Sequence, residues 1–168
     1  MVLTREPGGT VLGERIRGVL LDGSAANHTA LADALLFSAA RAQLVDEVIR
    51  PALAAGSTVI CARYADSTLA YQGYGAGLPL DDLRDLEELA TGGLKPDRTI
   101  LLDIPADVGL ARKASEATRF ELAFDLAFHE RVRAGFLGLA AADPARIRVV
   151  DATGDPEAVF AEVLRAVD

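Results

Sequence analysis

Cysteine is nearly absent from this chain of 168 residues: Cys61 stands alone, so no internal disulfide can form, and its place in an apolar run marks a small buried hydrophobe. That usage fits a reducing compartment. No apolar run approaches the ~18 residues of a membrane span, and the first residues lack the basic start and apolar centre of a signal peptide. A cytoplasmic protein with no membrane partner is therefore predicted. Aromatics make up only 5% of the residues, which disfavours an aromatic-rich β-sandwich. Positive charge is also short, 17 basic residues against 25 acidic, and the net charge of −8 repels a nucleic acid polymer. It leaves room for a small phosphate ligand held by a few arginines in one cleft. The two histidines, His28 and His129, have no metal-ligand partner at useful spacing; surface or capping places are expected for both, and no metal-ligating residues are assigned. No Ser-His-Asp constellation is discernible.

What the chain does have is apolar content, 51% of it, enough for one core and hence a single domain over residues 1–168. Four short β-rich runs stand out, at 2–4, 57–61, 98–104 and 147–151. They are continuous rather than alternating, as in strands covered on both faces, and helical patterns separate them, so an α/β class with a parallel sheet flanked by helices follows. Helices are expected at about 11–21, 30–55, 80–91, 106–113, 120–142 and 156–167. Gly92 and Gly93 mark one helix end, Asp155 before Pro156 marks a helix start, and the glycines at 73, 75 and 77 punctuate an expected loop.

In parallel sheets, functional groups gather beyond the C-terminal ends of the strands. There the chain places Arg5 and Glu6, then Arg63, Tyr64, Asp66 and Ser67, then Asp103. On the second helix Phe37 and Arg41 lie four apart and share a face, able to stack a base and donate to its edge. On these residues alone, a core place for Phe37 beside Leu44 and Val48 remains the alternative.

The stretch Cys61-Ala62-Arg63-Tyr64-Ala65-Asp66-Ser67-Thr68-Leu69-Ala70-Tyr71-Gln72-Gly73-Tyr74-Gly75 is similar over nearly its whole length to the CDRYxDSxLAYQGxG pattern of bacterial thymidylate kinases. Leu35 to Gln43 resembles the helix that holds the thymine in that family, Thr4-Arg5-Glu6-Pro7-Gly8-Gly9-Thr10 its strand-to-helix turn, and Arg119-Phe120-Glu121 its lid. The resemblance implies a P-loop kinase-like three-layer fold and transfer of a phosphoryl group from ATP to dTMP, with Mg²⁺ as cofactor, in a homodimer. It implies that Arg5, Glu6, Pro7, Arg17 and Arg63 surround the monophosphate, that Phe37, Arg41, Ser67, Thr68 and Gln72 line the thymine site, and that Tyr71 packs near the deoxyribose. Arg112, Lys113 and Arg119 would be cations of a lid at about 112–121, with Arg63, Arg112 and Arg119 acting on the transferred group. Arg41→Ala is expected to weaken dTMP binding with the fold intact.

The chain departs from that pattern where phosphates are handled. No GxxxxGK[ST] loop occurs, and the resemblance would place a first strand, that loop and a helix ahead of Val2, with the strand lying between 57–61 and 98–104. The expectation is thus an N-terminally truncated, impaired copy. Ala62 and Ala40 stand where the family has aspartates, and Thr118 where an aspartate is usual. A non-catalytic relative that binds a nucleotide or a partner protein is the alternative reading.

Overall fold

A computed structural model describes residues 1–22, 28–113, 118–120 and 124–167. Strand β1 (Val2–Arg5) runs parallel to β2 (Val59–Ala62), with Val2 opposite Val59 and Arg5 opposite Ala62. Strand β3 (Thr99–Asp103) runs parallel to β4 (Ile147–Asp151), with Thr99 opposite Ile147 and Asp103 opposite Asp151. Among the described residues these are two separate two-stranded sheets. The break falls between β2 and β3, the strands that the resemblance separates. Helical crossovers join both pairs, as parallel neighbours require, and the class is α/β.

Helix α1 (Val11–Leu21) starts at Thr10, whose Oγ1 accepts from the Gly13 amide at 2.9 Å, and α2 (Ala30–Leu44) starts at Thr29 in the same way. The second helix continues through a π-helical turn, Val45–Ile49, into α3 (Arg50–Ala54). Pro51 has no N–H to offer the Glu47 carbonyl, and the wider turn before it accommodates the loss.

The expected loop at 71–77 is instead largely helical: α4 (Ala65–Thr68) widens into a π-helix over Leu69–Gly75. Its glycines serve close packing rather than a turn. A Cβ on Gly75 would lie 2.7 Å from Val132 and 2.8 Å from Phe128, both on α7 (Leu126–Ala142). Between them come α5 (Leu80–Thr91), closed by Gly92 in the left-handed region, and α6 (Ala106–Lys113). Where a helix from residue 120 was expected, α7 begins at Leu126, because the Asp125 side chain accepts from the Phe128 amide and caps it; residues 121–123 lie outside the described residues. Helix α8 (Pro156–Val167) closes the chain.

The apolar core is local to the helix layers. Ile16, Leu20 and Ala40 join α1 to α2; Leu44, Val45 and Ile49 pack against Val59, Cys61 and Tyr64; Ala70, Phe128 and Val132 meet Tyr71, Phe124 and Phe136. Coverage of the strands on both faces does not hold. Leu3, Ile60, Leu102 and Val149 are exposed, since no described element packs over them. No described helix is long and apolar enough to cross a membrane.

Candidate active site

Two parallel strands that end together bring Arg5, Glu6 and Arg63 to one side of the fold, and the turn that follows β1 is built to stay there. Gly8 and Gly9 have φ of 137° and 78°, which favour glycine. The Gly9 amide donates to Glu14 Oε1 at 3.0 Å, and Arg17 Nη1 donates to the Pro7 carbonyl at 3.0 Å. This backbone amide, with the adjacent Arg5, holds the exposed Glu14 carboxyl below its ordinary value.

Glu6, Pro7, Arg17, Phe37, Arg41, Arg63, Ser67, Thr68, Tyr71 and Gln72 line one cavity together with Lys113, Thr118 and Phe120. Its walls have distinct chemistry. Phe37 and Tyr71 are bridged by Phe120, with ring centroids 5.9 and 5.8 Å from it, giving one aromatic wall. The Arg63 guanidinium lies 5.2 Å from the Tyr71 ring centroid and is held over it. Arg63 itself has φ of 70°, an unusual conformation for a side-chain-bearing residue.

The floor is a buried charge cluster. Arg41, with only 1% of its side chain exposed, donates from Nε to Glu6 Oε2 at 2.7 Å and from Nη1 to Thr68 Oγ1 at 3.0 Å. Nη1 also donates to Glu87 Oε2, while Glu87 Oε1 accepts from Ser38 Oγ at 3.0 Å. Burial works against the Arg41 charge, but the two carboxylates outweigh it and hold the guanidinium protonated. Burial pushes Glu6 up to about 7 despite Arg41, and pushes the neighbouring Cys61 thiol up to about 12. Cys61 is thus the inert small residue its surroundings in sequence suggest. Glu87 was not legible beforehand: it sits on an acidic helix where nothing in the local pattern separates it from its neighbours.

Not every residue of the expected constellation lines this cavity. Arg5 is exposed and paired with Glu14 at 3.2 Å. Arg112 donates to the Ala152 and Thr153 carbonyls at 2.9 and 3.1 Å. Arg119 is buried, donating to both Asp33 carboxylate oxygens at 2.7 Å and to the Leu20 carbonyl at 2.9 Å. Of the three expected lid cations, Lys113 alone reaches the cavity as folded here. Much of the expected lid, residues 114–117 and 121, lies outside the described residues. The histidines also differ from expectation. His28 Nδ1 lies 2.9 Å from Asp33 Oδ1, and His129, on α7 beside Phe128, is half-buried with no hydrogen-bond partner for its Nε2 among the described residues.

A second cavity adjoins the first and shares Arg63, Tyr71 and Lys113 with it; Asp103, His129 and Arg133 lie on its other side. Arg133 donates to both Asp103 carboxylate oxygens at 2.7 and 2.8 Å. Among the described residues no group of three or more carboxylate, histidine or cysteine side chains gathers to hold a metal ion. Of the carboxylates at the strand ends, Glu6 and Asp103 are committed to arginines, and Asp151 accepts from the Thr153 amide. The described residues therefore do not by themselves compose a Mg²⁺ site.

Geometry of this kind, an aromatic wall, a buried arginine and cations above them, suits a flat base carrying a phosphate. Comparison with known proteins leads to the same class. The family model described as thymidylate kinase matches residues 1–163. A thymidylate kinase of Deinococcus radiodurans is 53% identical, over 99% of this chain and 81% of that protein; one of Thermomicrobium roseum is 56% identical, over 95% and 76%. The crystal structure of thymidylate kinase from Ehrlichia chaffeensis superposes with a TM-score of 0.79 at 34% identity, covering 99% of this chain and 79% of that one. With a family model matched over residues 1–163, relatives above 50% identity and a similar fold, this chain belongs to the thymidylate kinase family.

Proposed function

We infer that this chain is a nucleoside monophosphate kinase acting on dTMP, with ATP as the phosphoryl donor. The observation that carries the reading is the convergence of Phe37, Arg41, Gln72, Arg17 and Arg63 on one cavity. In this reading Phe37 stacks on the thymine, Arg41 and Gln72 donate to the base edge, and Tyr71 packs beside the sugar. Arg17, Arg63 and the turn at Pro7 hold the phosphate, with Lys113 facing the donor. Ser67 and Thr68 complete the base side. Roles for Arg5, Arg112 and Arg119 at the phosphates belong to the same proposal and require these side chains to exchange their present partners.

The chemistry matches these groups. A phosphate monoester has a second pKa near ~6 and is mostly dianionic at neutral pH, so the acceptor needs no general base. The obstacle is repulsion between two anions. Arginines lower it by neutralising charge and fixing the acceptor oxygen in line, and loss of one such contact costs about 3 to 4 kcal/mol in the transition state. Mg²⁺, when bound with ATP, supplies further neutralisation at the phosphates. A homodimer and a cytoplasmic setting enter this reading through the resemblance alone.

A second reading, nucleotide binding without transfer, is favoured by Ala62 at the end of β2, where the family pattern has a carboxylate. One assay separates the two: ADP release with ATP, Mg²⁺ and dTMP, dUMP, AMP or GMP. Release that depends on dTMP above the other acceptors is the expected result. Binding of dTMP by calorimetry with no ADP release would support the second reading, and no binding of dTMP would overturn both.

A further inference from the structure

The charge cluster under the cavity is out of balance. Glu6 and Glu87 place two carboxylates against the single guanidinium of Arg41, with side-chain exposures of 3%, 7% and 1%. Fully ionised, the three carry one excess negative charge in a buried site, an expensive arrangement. The two carboxylates are not equivalent. Both oxygens of Glu87 are satisfied, by Ser38 and by Arg41. Among the described residues Glu6 is hydrogen-bonded at Oε2 and its buried Oε1 has no hydrogen-bond partner, and Glu6, unlike Glu87, lines the cavity.

A proton on Glu6 corrects both faults at once. It removes the excess charge, and it turns the orphaned acceptor of a cavity-lining residue into an O–H donor. Nucleosides carry base carbonyl oxygens that accept such a bond, whereas a carboxylate would repel those carbonyls. We propose that Glu6 engages the nucleotide as a neutral carboxylic acid, donating from Oε1–H to an oxygen of the nucleoside while Oε2 positions Arg41, so that binding takes up a proton from solvent. The inference rests on the nucleotide reading of the cavity.

The other groups facing Glu6 act consistently with this. Arg41 from α2 opposes protonation, while Glu87 from α5 favours it; the thiol of Cys61 and the hydroxyl of Tyr64, at the end of β2, stay neutral, both pushed upward by burial first and by Glu6 next. Arg17 and Arg63 line the same cavity. The net balance puts Glu6 at about 7, with burial the main cause. A ligand that excludes water, and a phosphate that adds negative charge, both move it further up.

Thymidine is the probe of choice, because it carries no phosphate to titrate. Its dissociation constant is to be measured by calorimetry from pH 6.5 to 8.5 in two buffers of different ionisation enthalpy. The expected result is weakening of about tenfold or more across that range with proton uptake approaching one per ligand. Glu6→Gln, which presents a neutral N–H in place of the O–H, should lose the pH dependence and bind thymidine more tightly than the wild type at pH 8.5. Affinity that is flat or rises with pH, proton release, or a slope that survives in Glu6→Gln would each overturn the proposal. Should that variant fail to fold, the wild-type slope and proton count decide alone. Failure of both thymidine and dTMP to bind would overturn the nucleotide reading, and this inference with it, whereas binding without proton uptake overturns the inference only.

Discussion

Arg41 and Glu6 stand 35 residues apart in the chain, yet the Arg41 Nε donates to Glu6 Oε2 at 2.7 Å in a site closed to solvent. That contact changes what Arg41 can be expected to do when removed. Arg41→Ala leaves Glu6 and Glu87 buried without their cation, so the variant should lose about 3 to 5 kcal/mol of stability as well as dTMP affinity. The sequence-based expectation of an intact fold is revised accordingly. Urea unfolding of the variant checks this; a midpoint within error of the wild type would contradict it.

Stability should also carry the signature of Glu6. Its carboxyl is raised from 4.5 to about 7 in the folded chain, mainly by burial. Between those values the folded state holds a proton that the unfolded state has released. The contribution is therefore complete below pH 4.5 and is lost as pH rises through about 7, a change on the order of 3 kcal/mol. Thermal unfolding between pH 5 and 8 should show the wild type losing stability relative to Glu6→Gln; parallel curves would exclude the effect.

Arg63 combines a cavity-lining side chain with a strained backbone. At φ of 70° an L-residue is disfavoured, so Arg63→Gly should be more stable than Arg63→Ala by about 1 kcal/mol. Both variants should lose about 10²- to 10³-fold in kcat/KM for dTMP if the guanidinium holds the phosphate. Steady-state kinetics beside urea unfolding separate the two effects, and a fully active Arg63→Ala would remove Arg63 from the site.

Two glycines offer a contrast in packing. A Cβ on Gly135 would meet the Tyr74 side chain at 2.7 Å, so Gly135→Ala should cost about 1 to 3 kcal/mol. In α1, a Cβ on Gly18 meets nothing within 4 Å, and Gly18→Ala should add up to about 1 kcal/mol through helix propensity. Shifts in unfolding temperature of opposite sign are expected; a neutral Gly135→Ala would mean that the π-helix and α7 can move apart.

The alternation of β-rich and helical runs, the helix start at Asp155 and the Cys61 to Gly75 pattern are local properties. Each is written within a few residues and depends on backbone sterics and short-range periodicity, so the succession of strands and helices and the parallel class were readable in the chain, while the grouping of Phe37, Arg41, Arg63 and Gln72 was expected only through the family resemblance. The glycines at 73 and 75 misled, because a residue that permits a turn also permits two helices to touch, and only the position of Val132 and Phe128 tells which. The open faces of β1 and β3 were likewise misread, since an apolar run states that cover is favourable and not that an element supplies it.

Ion pairing lies at the other extreme. Arg41 could have met solvent or any of the acidic residues; tertiary structure chose Glu6 and Glu87, from the turn after β1 and from α5, and placed Arg119 on Asp33 across 86 residues. The amino-acid sequence by itself determined which elements form and which side chains stand at the strand ends. Packing decided which charges are desolvated and against what partner, because burial and Coulomb energy depend on distances between segments that no local pattern records.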